Sequence, residues 1–214
     1  MEIVIRHLLI LTTIFLLNCS NRNNQDKLTD QDLNRLFKNH HIPSDYVKLR
    51  NFEYSLASQS DYYSDGFELL FDENDTMLKS YSTDKSFLDS FIIFAQADGT
   101  GSLYAYWLSS KELTQNTPIV IFGSEGGVYV VAENFNDLLK ILTLDSEPMV
   151  DHDEVSYYKD TADYNPSKNR PEYLNWLKKE FKIDPIENTD EIVLIAQEKY
   201  QKALKTWVNK FTEI

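Results

Sequence analysis

The chain has 214 residues, with a hydrophobic fraction of 42% and a charged fraction of 26%, which indicates a folded globular protein and excludes a disordered or collagen-like one. This length accommodates one domain with a sizeable core. The formal net charge of −13 argues against nucleic-acid binding, because an acidic surface repels phosphate, and it favours basic proteins as partners.

The N-terminal segment has the features of a leader. Residues 8–17 form an uninterrupted apolar run, too short for the roughly 20 residues of a membrane-spanning helix but as long as a signal-peptide core. The run leads into Leu-Leu-Asn-Cys, which resembles the lipobox of bacterial lipoproteins, where the cysteine is lipidated. Cys19 is the only cysteine, so it has no partner for an intramolecular disulfide. Asn18 stands where a small residue is usual, and Glu2 offsets the charge of Arg6.

These features predict a division of the chain into three parts. We expect residues 1–18 to be a signal peptide, residues 19–27 a lipidated tether, and residues 28–214 a single domain. The polar composition of residues 20–26 favours a flexible tether. The resemblance to a lipobox implies a membrane-anchored lipoprotein of the cell envelope. The alternatives are an ordinary secretory leader and an uncleaved anchor.

The first half of the predicted domain mixes helical and strand patterns. Thr29 and Pro43 bracket a predicted helix. Residues 67–71 and 76–81 flank a short acidic loop and predict a β-hairpin. Beyond them, an apolar run and an alternating aromatic segment predict two buried strands, at residues 91–95 and 102–108.

The second half begins with a hairpin pattern and continues with helices. Residues 119–122 and 128–132 flank a glycine-rich turn and predict two paired strands. Asn134 precedes a leucine-rich helical pattern, Pro171 suits the first turn of another helix, and a last helix begins near residue 190. Residues 145–167 lack a clear period and predict an irregular segment. This order of elements predicts an α+β fold, with a mainly antiparallel sheet flanked by helices.

No motif predicts catalysis or cofactor binding. Residues 98–102 superficially resemble the Asp-Thr-Gly-Ser loop of aspartic proteases, but those enzymes need two such carboxylates and the chain has one copy. His40 and His41 are adjacent and point apart on a helix, and His152 lacks a second histidine at metal-binding spacing. We therefore expect no catalytic residue, no metal, no cofactor and no enzymatic activity.

Two stretches combine acidic residues with tyrosines. Residues 61–75 hold six acids and no Lys or Arg, and residues 145–163 hold seven acids against Lys159 alone. Tyrosine supplies rigid contact area and carboxylates steer encounter, so these stretches predict a surface for a basic protein, unless they are merely solvated loops. The predicted partner-binding residues are Asp61, Tyr62, Tyr63, Asp65, Asp72, Glu73, Asp151, Asp153, Glu154, Tyr157 and Tyr158.

One long segment resembles a known family. Residues 91–142 carry, in order, a strand ending Ala-Gln-Ala-Asp, a Gly-rich turn with Ser-Leu-Tyr-Ala and Trp, a Pro-led strand with Gly-Ser-Glu-Gly, and a leucine-rich helix. This set resembles the SUKH superfamily, which contains the Smi/Knr-type cell-wall regulators of fungi and many bacterial toxin-immunity proteins. The resemblance implies an α+β sheet flanked by helices. It also implies binding without a shared catalytic residue.

The resemblance and the leader together give a functional hypothesis. Bacterial members of the superfamily typically neutralise a cognate toxin by occluding it, so we expect a membrane-tethered immunity-type protein. Most such proteins look cytosolic, whereas this leader points to a toxin that acts on, or is met at, the envelope. The alternative is an envelope scaffold or regulator with several weak partners.

Overall fold

The computed structural model describes residues 30–57, 61–71 and 75–212 of the chain. The predicted signal peptide, Cys19 and the predicted tether lie outside the described residues, as do Asp72 and Glu73. Among the helices of these three ranges, none is both long enough and apolar enough to cross a bilayer.

A five-stranded antiparallel sheet forms the centre of the domain, which confirms the predicted α+β class. The strands lie side by side in chain order: β1 (Glu68–Leu69), β2 (Phe91–Gln96), β3 (Leu103–Trp107), β4 (Ile119–Phe122) and β5 (Val128–Ala132). A separate antiparallel hairpin follows, formed by β6 (Pro148–Val150) and β7 (Val155–Tyr157).

Helices cover the sheet. Within the described ranges they are α1 (Asp30–Leu36), α2 (Ser44–Ser55), α3 (Thr76–Tyr81), α4 (Lys85–Leu88), α5 (Phe135–Ile141), α6 (Arg170–Glu180) and α7 (Asp190–Val208). A short 3₁₀ turn, Leu142–Leu144, extends α5. Helix α5 begins next to Asn134 and Pro171 lies in the first turn of α6, as predicted, and Asn134 caps α5 by accepting the Asp137 N–H at 3.0 Å.

Both faces of the sheet are buried. Successive strand residues point to opposite sides, and helices pack on each side. Ile92 and Phe94 face one core, which is completed by side chains from α1, α2, α5 and α6. Phe91 and Ile93 face a second core, closed by α3, α4 and α7. This arrangement explains why β2, β3 and β4 consist almost wholly of apolar and aromatic residues.

The predicted hairpin at residues 67–81 is wrong. Only Glu68 and Leu69 form a strand, and they pair with Gln96 and Ala95 of β2 rather than with the following segment. Residues 76–81 form helix α3, with Leu78 buried in the second core. The apolar residues that predicted two paired strands instead pack inward from a short edge strand and a helix.

Helix α2 and the β6–β7 hairpin have no counterpart among the predicted elements. The inward face of α2 contains a charged residue, Arg50, between the buried side chains of Tyr46 and Phe52, and this charge hides the apolar period. Strands β6 and β7 have three residues each and lie in the segment predicted to be irregular. The predicted first helix also ends at Leu36, well before Pro43.

Helix α7 closes the outer edge of β5. The Gln201 side chain accepts the Val130 N–H at 2.7 Å and donates to the Val128 carbonyl at 3.0 Å. One amide thus occupies the backbone groups that a further strand would use. This contact shields an edge that would otherwise be available for pairing with another chain.

We predict that Gln201→Ala lowers the free energy of unfolding by about 1–3 kcal/mol, because it leaves a donor and an acceptor of β5 unpaired. Urea denaturation measures the change, and light scattering tests whether the uncovered edge promotes self-association. Lys202→Ala, at an exposed neighbouring position, is the control. Equal stabilities of the two variants would contradict the role assigned to Gln201.

Candidate functional site

Four chain segments meet at the end of the sheet where β2 and β4 finish. We define the four-turn face as residues 61–66, 97–102, 123–127 and 147–158. Hydrogen bonds connect its turns directly: Thr100 Oγ1 lies 2.9 Å from Ser124 Oγ, and the Gly99 N–H donates to Glu147 Oε1 at 2.7 Å. The fold therefore joins the two acidic stretches that the sequence analysis singled out.

Two glycines permit this close assembly. A Cβ on Gly66 would overlap the Glu147 carboxylate, and a Cβ on Gly127 would overlap the Asp151 carbonyl oxygen. Both residues have positive φ, of 67° and 86°. The lack of a side chain at Gly66 lets residues 61–66 approach Glu147, and at Gly127 it lets the β4–β5 turn pack against the β6–β7 hairpin.

Asp98 organises the β2–β3 turn from inside. Its buried Oδ1 accepts hydrogen bonds from the N–H groups of Thr100, Gly101 and Ser102 and from the Thr100 hydroxyl, at 2.8–3.0 Å. These four donors saturate the Oδ1 oxygen of the carboxylate. Asp98 thus has a structural role in the turn that the protease-like motif forms.

Asp145 joins three segments through a second buried carboxylate. Oδ1 accepts the Asp65 N–H at 2.9 Å, and Oδ2 accepts the Ser167 N–H at 2.9 Å and the Tyr164 hydroxyl. The Arg170 guanidinium lies 3.7 Å away. Asp145 itself has a left-handed backbone with φ of 60°. The acidic loops are therefore held in place by an internal anion.

Several of the exposed acids also serve the fold. Asp151 Oδ1 accepts the N–H groups of Asp153 and Glu154, at 2.7 and 2.9 Å, and these bonds lower its pKa. Asp61 forms an ion pair with Lys168 at 2.7 Å. Asp65 is exposed as a residue, but its carboxyl is partly buried. This partial burial and the charge of Asp145 raise its pKa.

Three exposed carboxylates of the β4–β5 turn and the β6–β7 hairpin remain available to a partner. Glu125, Asp153 and Glu154 accept no hydrogen bond and form no ion pair with any residue of the described ranges. Asp151, Asp153 and Glu154 concentrate negative charge beside Tyr129, whose pKa is raised by burial and by these charges. The four segments of the face contain no Lys or Arg, and His152 lies in the last of them.

The predicted tyrosines divide into two exposed and two buried residues. Tyr62 and Tyr158 are 40% and 68% exposed. The expectation that Tyr63 and Tyr157 are exposed is wrong, since both point into the core. Tyr63 donates its hydroxyl to Glu53 at 2.9 Å, and the Tyr157 hydroxyl lies 2.9 Å from that of Tyr104.

One exposed residue was missed. Met149 of β6 is 64% exposed on the hairpin that carries the free carboxylates. An apolar residue in the sequence predicts a core position, so no pattern marks Met149 as exposed. Together with Tyr158 it provides apolar contact area beside the acids, a composition that suits recognition of a protein surface.

The hydroxyl groups of Thr100, Ser102 and Ser124 are engaged within the turns of the four-turn face. The Thr100 hydroxyl donates to Asp98 and lies within hydrogen-bond distance of the Ser124 hydroxyl, and the Ser102 hydroxyl accepts the Ser124 N–H. No described residue hydrogen-bonds to His152. Among residues 30–57, 61–71 and 75–212, no group of three His, Cys, Asp or Glu side chains is placed to hold a metal ion.

We predict that Asp145→Asn lowers the free energy of unfolding by about 2–4 kcal/mol. The new amide NH₂ is itself a donor, so it would face N–H or O–H groups that now donate to the carboxylate. Hydrogen exchange at the Asp65 and Ser167 amides should accelerate. Asp163→Asn, at an exposed position, is the control for loss of one charge. Unchanged exchange at both amides would refute the anchoring role of Asp145.

We predict that Gly127→Ala destabilises the domain more than Gly101→Ala does. Both glycines have positive φ, so both variants incur backbone strain of about 1 kcal/mol. Only at Gly127 does the new methyl group meet another segment, since a Cβ on Gly101 has nothing within 4 Å. Thermal unfolding of both variants separates the two effects, and equal costs would show that close packing is unimportant.

We predict that Glu53 makes stability depend on pH. Burial raises the pKa of Glu53 to about 7, against an ordinary value of 4.5, so its contribution declines as pH rises between these values. Glu53→Gln should gain about 1–3 kcal/mol relative to the unsubstituted chain between pH 5 and pH 8. Denaturation at both pH values, with Glu180→Gln as control, measures this gain. A difference that does not change with pH would contradict it.

Comparison with known proteins adds no relative from which a role could be transferred: no protein-family model, curated protein or solved structure matches the chain.

Proposed function

We propose that this chain is a non-enzymatic, immunity-type protein that binds a cognate bacterial toxin through the four-turn face and blocks a basic surface on it. The observation that carries the proposal is the set of three unpaired carboxylates, Glu125, Asp153 and Glu154, beside the exposed side chains of Met149 and Tyr158. The family resemblance of residues 91–142 supports the same role.

The electrostatics of the face favour a basic partner. Carboxylates without internal partners retain their full attraction for Lys and Arg, whereas those of Asp98 and Asp145 already accept several hydrogen bonds within the fold. A chain of net charge −13 attracts a cationic protein from a distance and steers its approach. The association rate should therefore fall as salt is added.

The rigidity of the face favours a tight complex. Its turns are fixed by buried carboxylates and by glycines that allow direct packing, so few residues need to become ordered when a partner binds. Tyr158 and Met149 supply apolar area that a partner can cover, and such residues often contribute much of the binding energy. Charge would guide the partner and apolar contact would retain it.

The family resemblance and the leader complete the proposal. The resembling segment forms β2 to α5 and includes the β2–β3 and β4–β5 turns of the face. Lipidation at Cys19 would hold the domain at the membrane, where a toxin that acts on the envelope would be met. The toxin would then be neutralised at the surface that it attacks.

The test is capture of a partner with a charge-reversed bait. Residues 20–214 are immobilised and exposed to proteins of the native cells, washed at low and high salt, and any bound protein is identified and titrated. We expect one stoichiometric, basic, salt-sensitive partner. The variant Glu125→Lys, Asp153→Lys, Glu154→Lys should weaken its binding about 10-fold or more, since tenfold corresponds to 1.4 kcal/mol.

The matched control changes the same charge elsewhere. Glu180, Glu187 and Glu198 are exposed and lie outside the four-turn face, so their reversal to Lys should have a small effect. Equal weakening by both variants would reduce the interaction to net charge and remove the face from the proposal. Several weak envelope partners in place of one would favour the scaffold alternative.

A further inference from the structure

A cleft of about 830 Å³ lies at the end of the sheet opposite the four-turn face. It is formed where α1 ends, where α4 leads into β2, and where β3 ends, with α7 closing one side. Its volume lies within the range of sites for small organic ligands. The lining includes Arg35, Lys38, Lys85, Lys111, Trp107 and Trp207.

The charge of this cleft is opposite to that of the chain. Four cationic side chains and one acid, Asp89, line it, although acids outnumber bases 34 to 21 in the whole sequence. Lys85 pairs with Asp89 at 2.6 Å and Arg35 pairs with Asp32 at 2.6 Å, but all of these contacts are at the surface and contribute little. An anionic ligand can therefore replace the aspartates as partner of these cations.

Two further lysines line the cleft, and one of them is held in a fixed position. The half-buried ammonium of Lys38 donates to the Leu88 carbonyl at 2.9 Å and pairs with Asp75 at 3.2 Å. Lys111 forms no ion pair with any described residue. A preorganised cation beside an unpaired one suits a phosphate group, which accepts several charge-assisted hydrogen bonds.

The backbone supports a functional role for these lysines. Five non-glycine residues of the described ranges have positive φ, and three of them, Lys38, Asn39 and Lys111, line the cleft. Glycine would adopt this conformation without strain, so lysine at two such positions is costly for the fold. Strained residues of this kind concentrate at binding sites.

The position of the cleft indicates where its ligand lies. Arg35 and Lys38 belong to the segment that begins at Asp30, eleven residues after Cys19. Even fully extended, those residues span at most about 40 Å. If Cys19 carries a lipid, the cleft is kept close to a bilayer whose anionic headgroups bear phosphate.

We propose that the cleft binds the phosphate of anionic phospholipid headgroups and that it seats the domain on the membrane with the four-turn face turned outward. This inference rests on the lipid anchoring in the proposed function. Lysines attract an anionic surface, because anionic lipids give the leaflet a negative surface potential. The acidic face would be repelled by the same surface, which gives the domain one preferred orientation.

Vesicle co-sedimentation tests the proposal without the lipid anchor. Residues 20–214, which contain every residue of both cores, are mixed with vesicles of phosphatidylcholine alone or of equal parts phosphatidylcholine and phosphatidylglycerol. We expect binding to the anionic vesicles only. Lys85→Glu with Lys111→Glu should reduce this binding tenfold or more.

The control pair is Lys182→Glu with Lys202→Glu, which makes the same charge change at exposed positions outside the cleft, and Lys182 also has positive φ. It should reduce binding less than twofold. Equal loss in both pairs, or no binding to anionic vesicles, would overturn the proposal. Binding of soluble glycerol 3-phosphate that the cleft pair abolishes, without vesicle binding, would replace the lipid with a free phosphate ester.

Partner capture separates the two proposals. The cleft pair should retain the captured partner in full, because its substitutions lie at the far end of the sheet from the four-turn face. Reversal of Glu125, Asp153 and Glu154 should leave vesicle binding intact or strengthen it. Failure of one activity with retention of the other would identify which proposal is wrong.

Discussion

The buried carboxylate of Asp145 is the interaction on which the four-turn face depends. A buried anion is very unfavourable without partners, and here its partners come from residues 61–66, from the loop before α6 and from α6 itself. Tyr63 and Tyr173 pack two of these segments into the core, and the shared carboxylate connects them to each other and to the loop before α6. Because they share one carboxylate, they must assemble together, and the exposed acids acquire defined positions as a result.

The sheet separates two surfaces of opposite charge. Strand β3 has five residues and spans about 17 Å, which exceeds the screening length of about 8 Å at physiological ionic strength. Carboxylates at the turn end therefore have little effect on the cations of the cleft. One small domain can in this way present an acidic surface to a protein and a basic surface to a membrane.

Much of the fold could be predicted from local patterns, because β2 to β5 and α5 to α7 each bury a continuous apolar face. Helix α2 could not, since the buried guanidinium of Arg50 interrupts its apolar face. The guanidinium is accommodated by hydrogen bonds to the Leu70 carbonyl and the Tyr46 hydroxyl and by contacts with the surrounding tyrosine and phenylalanine rings. The pairing of β1 with β2 depends on a contact across more than twenty residues, which no local pattern reports.

The candidate site could be predicted in composition but only partly in detail. Asp153, Glu154 and Tyr158 are exposed as expected, whereas Tyr63 and Tyr157 are not. The sequence contained a signal for this difference: the tyrosines occur as adjacent pairs, and neighbours in an extended chain point to opposite sides. The structural use of Asp151 and the exposure of Met149 depend on the β6–β7 hairpin, which was not predicted.

The most direct test is a hydrogen-exchange footprint of the captured partner on residues 20–214. Exchange is measured on the chain alone and when it is saturated with the partner. The proposed function predicts slower exchange in residues 61–66, 123–127 and 148–158, with the cleft unchanged. Protection confined to the cleft or to α7, with these segments unaffected, would contradict recognition through the four-turn face.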